Sequence, residues 1–367
     1  MARFVAALIV VVYHLWRFDH WAVPAPVVHV VGAGPAAVSF FFVLSGFVLA
    51  WSQTTNDGAL VREARAFWLR RLRRLVPMFL VAAVVAVPTA VGLIKRTFGE
   101  DVAVLPELLP ELALHLSFMQ AFVPGGELAI NPPAWSLSAE MFFSLLFPLI
   151  APAVLRATTS STSSTGARPW VWLGLLWALS TLPGLAYLAV DPDMLQALGF
   201  VVDHKAHALW LDVLRYHPFV RLPEFVAGVV VCALVRQGFA PPRRSVWVAV
   251  VVMVSVSALG LPAPVTHNGL FLPCFVIVVA GLARTQDAST GVARALLLLG
   301  DASYALYLLH VPLLMWVAGL SMRGGGQNLL EDPVAAVVVV IAIVGASVVA
   351  HRVIEARFVS PSHTRSA

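Results

Sequence analysis

From Pro333 to Ala350 the chain runs PVAAVVVVIAIVGASVVA without one charged side chain. No other kind of feature narrows the possible folds so much. A helix needs about 20 apolar residues to cross about 30 Å of hydrocarbon, and in lipid only helices and closed barrels satisfy their own backbone amides. Comparable runs recur along all 367 residues, of which 60% are hydrophobic and 12% charged, with a mean hydropathy of +0.87. No polar block is long enough for a separate soluble domain. The pattern predicts an all-α, polytopic integral membrane bundle with about ten transmembrane helices. The expected spans lie near 3–20, 35–52, 74–94, 135–155, 170–189, 218–235, 245–261, 268–284, 297–318 and 334–352. Residues 1–356 are expected to be one transmembrane domain and 357–367 a short cytoplasmic tail.

Basic residues set the orientation, because short cytoplasmic loops collect them. With the N-terminus inside, the inner ends hold Arg3, Arg62, Arg65, Arg70, Arg71, Arg73, Arg74, Arg156, Arg168, Arg236, Arg243, Arg244, Arg284, Arg294, Arg352, Arg357 and Arg365. The outer side keeps Arg17, Lys95, Arg96, Lys205, Arg215, Arg221 and Arg323, so the division is 17 against 7 of the 24. Both termini are therefore expected to be cytoplasmic. Near-exclusive use of arginine with abundant Ala and Val suits a GC-rich bacterial genome, and the expected location is the bacterial inner membrane, multi-pass. Trp16, Arg17, Asp19 and His20 follow the first apolar run where a signal peptide would carry a small-residue cleavage site. That run is expected to stay in the mature protein.

The connections differ in character. Thr158 to Gly166, TTSSTSSTG, is a polar linker. Residues 96–134 hold Glu100, Asp101, Glu107, Glu111, His115 and Glu127 among five prolines, which predicts an outer cap of broken helices. Cys232 and Cys274 lie inside apolar runs and form neither a disulfide framework nor a zinc spacing; no metal is expected. No inverted repeat of the transporter kind is visible.

Against this background the polar residues within spans stand out. Arg3 and His14 are eleven positions apart, which returns to within about 20° of the same helix face some 16 Å further along. With Ala6, Ala7 and Val10 between them, that face is expected to offer a groove for a thin ligand. The plainer reading is a membrane anchor and a hydrogen-bonded core histidine. In REARAFWLRRLRR, Arg70, Arg73 and Arg74 share one face at i, i+3 and i+4. Guanidinium forks suit the phosphates of a nucleotide-like molecule, and they equally suit anionic headgroups. NPPAWSLSAEMFF sets Glu140 near the outer start of a span, where a carboxylate has to be paired or tuned. RLPEFVAG offers Arg221 and Glu224 at i, i+3, most simply an internal ion pair. In GDASYALYLLHVP, Tyr304, Tyr307 and His310 follow one another at steps of three, lining a polar pocket or packing with satisfied hydroxyls.

Two apparent motifs fail on geometry. His14 and Asp19 are five residues apart, about 140° around a continuous helix, so they do not form an acyltransferase H-x-x-x-x-D pair. Ser45 in VLSGF lacks the glycine two positions earlier that a nucleophile elbow requires, and close helix packing beside Gly46 is expected there.

Taken together, these stretches resemble the membrane-bound acyltransferase-3 family of bacterial O-acyltransferases over nearly the full chain. The matching parts are Arg3 and His14 as R-x10-H, FFFVLSGFVL at 40–49, Arg70 to Arg74 before LVP, WSLSAEMFF at 135–143, RLPEFVAG at 221–228 and LGDASYALYLLHVP at 299–312. The chain departs from the family in starting at Met1-Ala2-Arg3 and in ending at Ala367 without an esterase-like domain, so transfer is expected to be completed by the bundle or by a separate protein. The resemblance implies a first-helix histidine essential for acyl transfer, arginines that bind the acyl-donor coenzyme, and a ten-span topology.

On that basis acyl-CoA, most simply acetyl-CoA, is the expected donor substrate, with its phosphates on Arg3, Arg70, Arg73 and Arg74. His14 is expected to be general base or transient acyl carrier, and Glu140 to orient it or handle the proton. Tyr307, His310, Trp135 and Ser138 are expected to line the substrate pocket. The expected acceptor is a sugar hydroxyl on an envelope glycan or a glycosylated metabolite such as a macrolide, with Trp21, Trp135 and Trp210 available for stacking. Membrane lipids are the other expected partners, with no nucleic acid. The alternatives are a polytopic proton-coupled transporter using Arg3, His14 and Glu140, and a glycosyltransferase, which lacks the acidic metal-binding cluster it would need.

Overall fold

The computed structural model describes residues 1–18, 21, 23–159, 168–190, 208–283, 291–323 and 326–358. Among the described residues the regular secondary structure is helical, apart from an isolated bridge between Thr54 and Leu60. The first run forms α1 (Ala2–Phe18), and α2 (Ala25–Gly32) follows with Pro26 in its first turn, where a missing N–H removes no helical bond. Next come α3 (Ala36–Gln53) and α4 (Ala64–Phe98). The expected cap contains α5 (Val104–Leu116), which runs on through Pro110, and 3-10 turns at Gln120–Phe122 and Pro132–Ala134. Beyond it lie α6 (Trp135–Thr159), α7 (Arg168–Val190), α8 (Ala208–Tyr216) and α9 (Pro218–Arg236). The chain continues through α10 (Arg243–Ala258), the short α11 (Ala263–Thr266) and α12 (Leu272–Leu282). It ends with α13 (Gly291–Asp301), α14 (Ser303–Ser321), α15 (Pro333–Ala350), a π-helical turn at His351–Glu355 and α16 (Ala356–Phe358). Asp332 caps α15 by accepting from the Val334 amide at 3.1 Å, with Pro333 at the first helical position.

Seven described stretches are long and apolar enough to cross a membrane: Ala25–Gln53, Ala64–Phe98, Pro132–Thr158, Arg168–Val190, Trp210–Arg236, Ser303–Ser321 and Pro333–Phe358. The protein is a multi-pass, all-α membrane protein. These seven coincide with seven of the ten expected spans. The other three expected spans fall on shorter helices: α1 with 17 residues, α10 with 16 and α12 with 11. At 1.5 Å per residue α12 reaches only about 16 Å, roughly half of the hydrocarbon thickness. The polar linker beyond Thr159, Asp19 and the tail beyond Phe358 lie outside the described residues.

The chain divides into two compact units. One comprises Val23–Ala64 and Ala139–Asp287. Its centre is the pairing of α3 with α9, which meet backbone to backbone. A Cβ added to Gly46 would run into the Phe225 carbonyl, and one added to Gly228 into the Val43 carbonyl. Small residues thus do here what the sequence suggested for Gly46. Ser45 beside it does something else: its hydroxyl donates to Glu140 Oε1 at 2.6 Å.

Arg221 and Glu224 form the expected ion pair, at 3.0 Å with side chains only 2% and 1% exposed. Such a pair is tolerable in an apolar interior only if its remaining hydrogen-bonding capacity is met. Arg221 also donates to Ser39 Oγ at 2.6 Å, to the His267 carbonyl and to Asn268 Oδ1, while Glu224 Oε1 accepts from the Gly269 amide at 3.1 Å. At the other end of the helix pair, Arg236 donates to the Thr55 and Thr54 carbonyls at 2.7 and 2.8 Å and to the Ala50 carbonyl at 3.2 Å. It satisfies the orphan acceptors at the C-terminus of α3, a task that its place among the inner-side arginines did not reveal. The links Ser39–Arg221 and Thr54–Arg236 both join residues 182 apart, so α3 and α9 run parallel in register.

The other unit comprises Met1–Ala22, Arg65–Ser138 and Ala288–Ala367. In it α1 packs on α13 and α14, and α14 packs on α15. Two side chains of α14 tie it to backbone carbonyls of α4: Tyr304 to Leu75 at 2.9 Å and Trp316 to Val85 at 3.0 Å. Below the cap, Ala86 and Ala90 of α4 are buried together with Leu108 and Ile130. His115 is buried against the Phe79 ring at a centroid distance of 4.7 Å, and burial pushes its imidazole down to about 4.

Candidate functional site

His14 lies near the far end of α1, and the ring nearest to it in function belongs to α14. His310 Nε2 is 3.1 Å from His14 Nδ1, with ring centroids 4.9 Å apart at 64°. His310 is fully buried, whereas His14 keeps part of its surface open. The hydrogen bonds assign the tautomers. His310 Nδ1 is 3.1 Å from the Leu306 carbonyl, which only accepts, so that nitrogen carries the proton and Nε2 of the neutral ring is an acceptor. His14 Nδ1 faces both this acceptor and the Val10 carbonyl at 2.9 Å, so it donates. The Nε2 lone pair of His14 is thereby left available. This is the arrangement by which an orienting group readies a histidine as base or nucleophile.

The segment around His310 is shaped by Pro312. A proline there has no N–H for the Leu308 carbonyl, and its ring crowds that oxygen. Asn131 supplies the missing donor, its Nδ2 lying 3.0 Å from the Leu308 oxygen. Five residues on, Ser136 donates to the Pro133 carbonyl at 3.0 Å and accepts from the Tyr307 hydroxyl at 2.7 Å. Tyr307, the expected pocket residue, is buried and its ring is 6.0 Å from that of His310. Asn131 and Ser136 were not singled out in the sequence. The proline two positions after His310 was the available signal, since it obliges some other group to satisfy Leu308. Asn131→Leu should lose about 1–3 kcal/mol by stranding that buried oxygen. A fall in the unfolding temperature of the detergent-solubilised protein would measure it.

Arg3 stands three turns down α1 from His14. It and Arg74 both lie within Coulombic reach of Glu355, whose other carboxylate contact is His351 Nδ1 at 2.9 Å. Both guanidinium groups therefore act electrostatically on one carboxylate, Glu355, which the residue pattern alone did not point to. Arg70 is half-buried on α4, and Arg73 and Arg74 are exposed. One expectation needs correcting: the strip between Arg3 and His14 is not an open groove. Ala6, Ala7 and Val10 are 4%, 0% and 2% exposed, because side chains this small let α1 pack directly on its neighbours.

The remaining expected residues are placed as follows. Trp135 is buried, and Ser138 donates to the carbonyl of Phe118, a residue with φ of 59°. Glu140, in the unit built on α3 and α9, accepts from Ser45 as described. Trp210 is exposed, and Trp21 meets the Trp16 ring edge-on at 6.4 Å. Among the described residues no group of His, Cys, Asp and Glu side chains is arranged to hold a metal.

A family model described as an acyltransferase domain matches residues 1–352. The chain belongs to the acyltransferase-3 family. As a member of that family it is an acyltransferase and an enzyme, which sets aside the transporter alternative. Acyltransferase MdmB of Streptomyces mycarofaciens is 29% identical over 335 residues, covering 88% of this chain and 79% of that protein. Exopolysaccharide production protein ExoZ of Rhizobium meliloti is 28% identical over 308 residues, 80% of each. Peptidoglycan O-acetyltransferase OatA of Listeria monocytogenes is 25% identical over 338 residues, or 85% of this chain, but the match spans only 48% of that longer relative. No solved structure matches the chain. Acyltransferase-3 membership covers both Arg3 and His14, and also α14 with His310.

Proposed function

We propose that this chain is a membrane O-acyltransferase that moves an acyl group, most simply acetyl, from acyl-CoA to a sugar hydroxyl. The acceptor is an envelope glycan or a glycosylated small molecule such as a macrolide. The hydrogen bond between His310 and His14 carries the reading, because it leaves the His14 Nε2 lone pair ready for the reaction. As a base, His14 takes the acceptor hydroxyl proton while that oxygen attacks the thioester carbonyl. The tetrahedral intermediate then expels the coenzyme thiolate, which receives the proton from the His14 imidazolium. As a carrier, Nε2 itself displaces the thiolate to give an acyl-imidazolium; the acceptor oxygen then attacks the acyl carbon, the freed Nε2 takes the hydroxyl proton, and the imidazolium passes it to the coenzyme thiolate. In both routes His310 stabilises the positive ring through His14 Nδ1–H, so the orienting role first expected of Glu140 goes to His310.

The donor phosphates bind Arg3, Arg70, Arg73 and Arg74 at the cytoplasmic side. Since Ala6, Ala7 and Val10 are packed, the thin arm of the coenzyme enters by parting α1 from its neighbours, a movement that small side chains make cheap. The bundle crosses a bacterial inner membrane ten times with both termini inside. The parallel pairing of α3 with α9 fits that count, on which they are the second and sixth spans. Purified protein given radiolabelled acetyl-CoA and a glycan acceptor should consume thioester and label the acceptor. Acetyl-His14 trapped without acceptor selects the carrier route and strictly ternary kinetics select the base. Absence of any thioester consumption with acceptors of either class sinks the reading.

A further inference from the structure

The unit that holds His14 also contains a cavity of about 720 Å³ that none of the steps above uses. Four segments build it: Arg17 from α1, Arg96 from α4, Arg323 beyond the end of α14, and Glu331 from the turn before α15. Three guanidinium groups against one carboxylate leave a net charge of about +2. Among the described residues, the side chains of Arg96 and Arg323 have no hydrogen-bond or ion-pair partner, while Arg17 reaches the Tyr13 hydroxyl at 3.4 Å. Behind these charges the wall is apolar, with Leu93, Met315 and Trp316. Gly92 and Gly319 widen it, since a Cβ at either position would meet nothing within 4 Å. The volume falls within the range of small-molecule sites.

We propose that this cavity binds an amphiphile carrying a phosphate or diphosphate beside an apolar chain, the chemistry of a lipid-linked sugar. Arginine forks match phosphate oxygens bidentately, and the apolar wall takes the chain. A free anion gains nothing from that wall, and a bulk phospholipid with a single phosphate matches three guanidinium groups less well than a diphosphate does. Arg17 follows His14 by three residues, about 4.5 Å along the helix, so a phosphate held there places its attached sugar within reach of the His14 ring. Calling this ligand the acyl acceptor rests on the function proposed above; the binding itself does not.

The test uses the full chain in phosphatidylcholine nanodiscs, with farnesyl diphosphate as the probe and pyrophosphate and phosphatidylglycerol as comparisons, without any acyl donor. Farnesyl diphosphate should bind at least tenfold more tightly than pyrophosphate, and tenfold excess phosphatidylglycerol should not displace it. Arg96→Gln with Arg323→Gln should weaken the probe at least tenfold. Gly319→Leu, whose Cβ starts in open space and whose side chain takes up cavity volume, should do the same in protein that remains monodisperse. His14→Ala should leave probe affinity unchanged while abolishing transfer, which separates this site from the catalytic proposal. Equal affinity for pyrophosphate, displacement by phosphatidylglycerol, or unchanged affinity in the arginine and glycine variants would each overturn it.

Discussion

His14→Ala should lower acyl transfer by on the order of 10² to 10⁴, the range that a positioned acid-base group contributes, while the protein still accumulates in the membrane. The cavity left by an imidazole beside the half-open face of α1 is small, so the loss should appear in kcat and not in yield. His310→Ala should cost less, about tenfold to a hundredfold, because His14 keeps the Val10 carbonyl as a second acceptor for Nδ1–H. The pair is tested most sharply by coupling. If His310 acts only through His14, the double variant will be no slower than His14→Ala, whereas independent contributions would multiply. His310→Gln, whose amide oxygen also accepts from Nδ1–H, should recover part of the rate and move the acid limb of the pH profile. A purely structural role predicts neither. Full activity in His14→Ala would remove the histidine from the mechanism.

The second large effect concerns stability. Arg221→Met should destabilise the unit built on α3 and α9 by about 3–5 kcal/mol, because it leaves the Glu224 carboxylate buried without its guanidinium. Ser39 Oγ, the His267 carbonyl and Asn268 lose a donor at the same time. Combining Arg221→Met with Glu224→Gln removes the stranded charge and should recover more than half of the lost unfolding temperature. A double variant as unstable as the single one would mean that the guanidinium matters for its carbonyl and amide contacts and not for the ion pair.

Much of this was legible in the sequence, and what was hidden follows a pattern. Apolar runs and flanking arginines located the helices, since lipid leaves the backbone few alternatives. Contacts at i, i+3 were equally open, as Arg221 and Glu224 illustrate. Steps of three placed Tyr307 and His310 on one face of α14, but the partner of that face lies 296 residues away, and no local rule supplies such a distance. Asn131 was hidden for the same reason: Pro312 announced that Leu308 needed a donor without saying which. The closed strip along α1 was misjudged because small side chains are compatible both with a groove and with close packing. The sequence names the size of a residue and leaves its neighbour unstated.

The fixed interval of 182 residues between α3 and α9 has a bearing on biosynthesis. At about 5–20 residues per second, α3 emerges from the ribosome some 10 to 40 seconds before Arg221 and Arg236 exist. Throughout that wait Ser39 and the carbonyls at the C-terminal end of α3 are without their eventual donors, and Gly46 faces lipid or a chaperone instead of a helix. When α9 arrives, a single docking event closes all three positions together. Maturation of this half of the enzyme thus behaves as a timed latch, and a chain stalled or cut before residue 236 should present α3 to membrane quality-control proteases as an unclaimed helix.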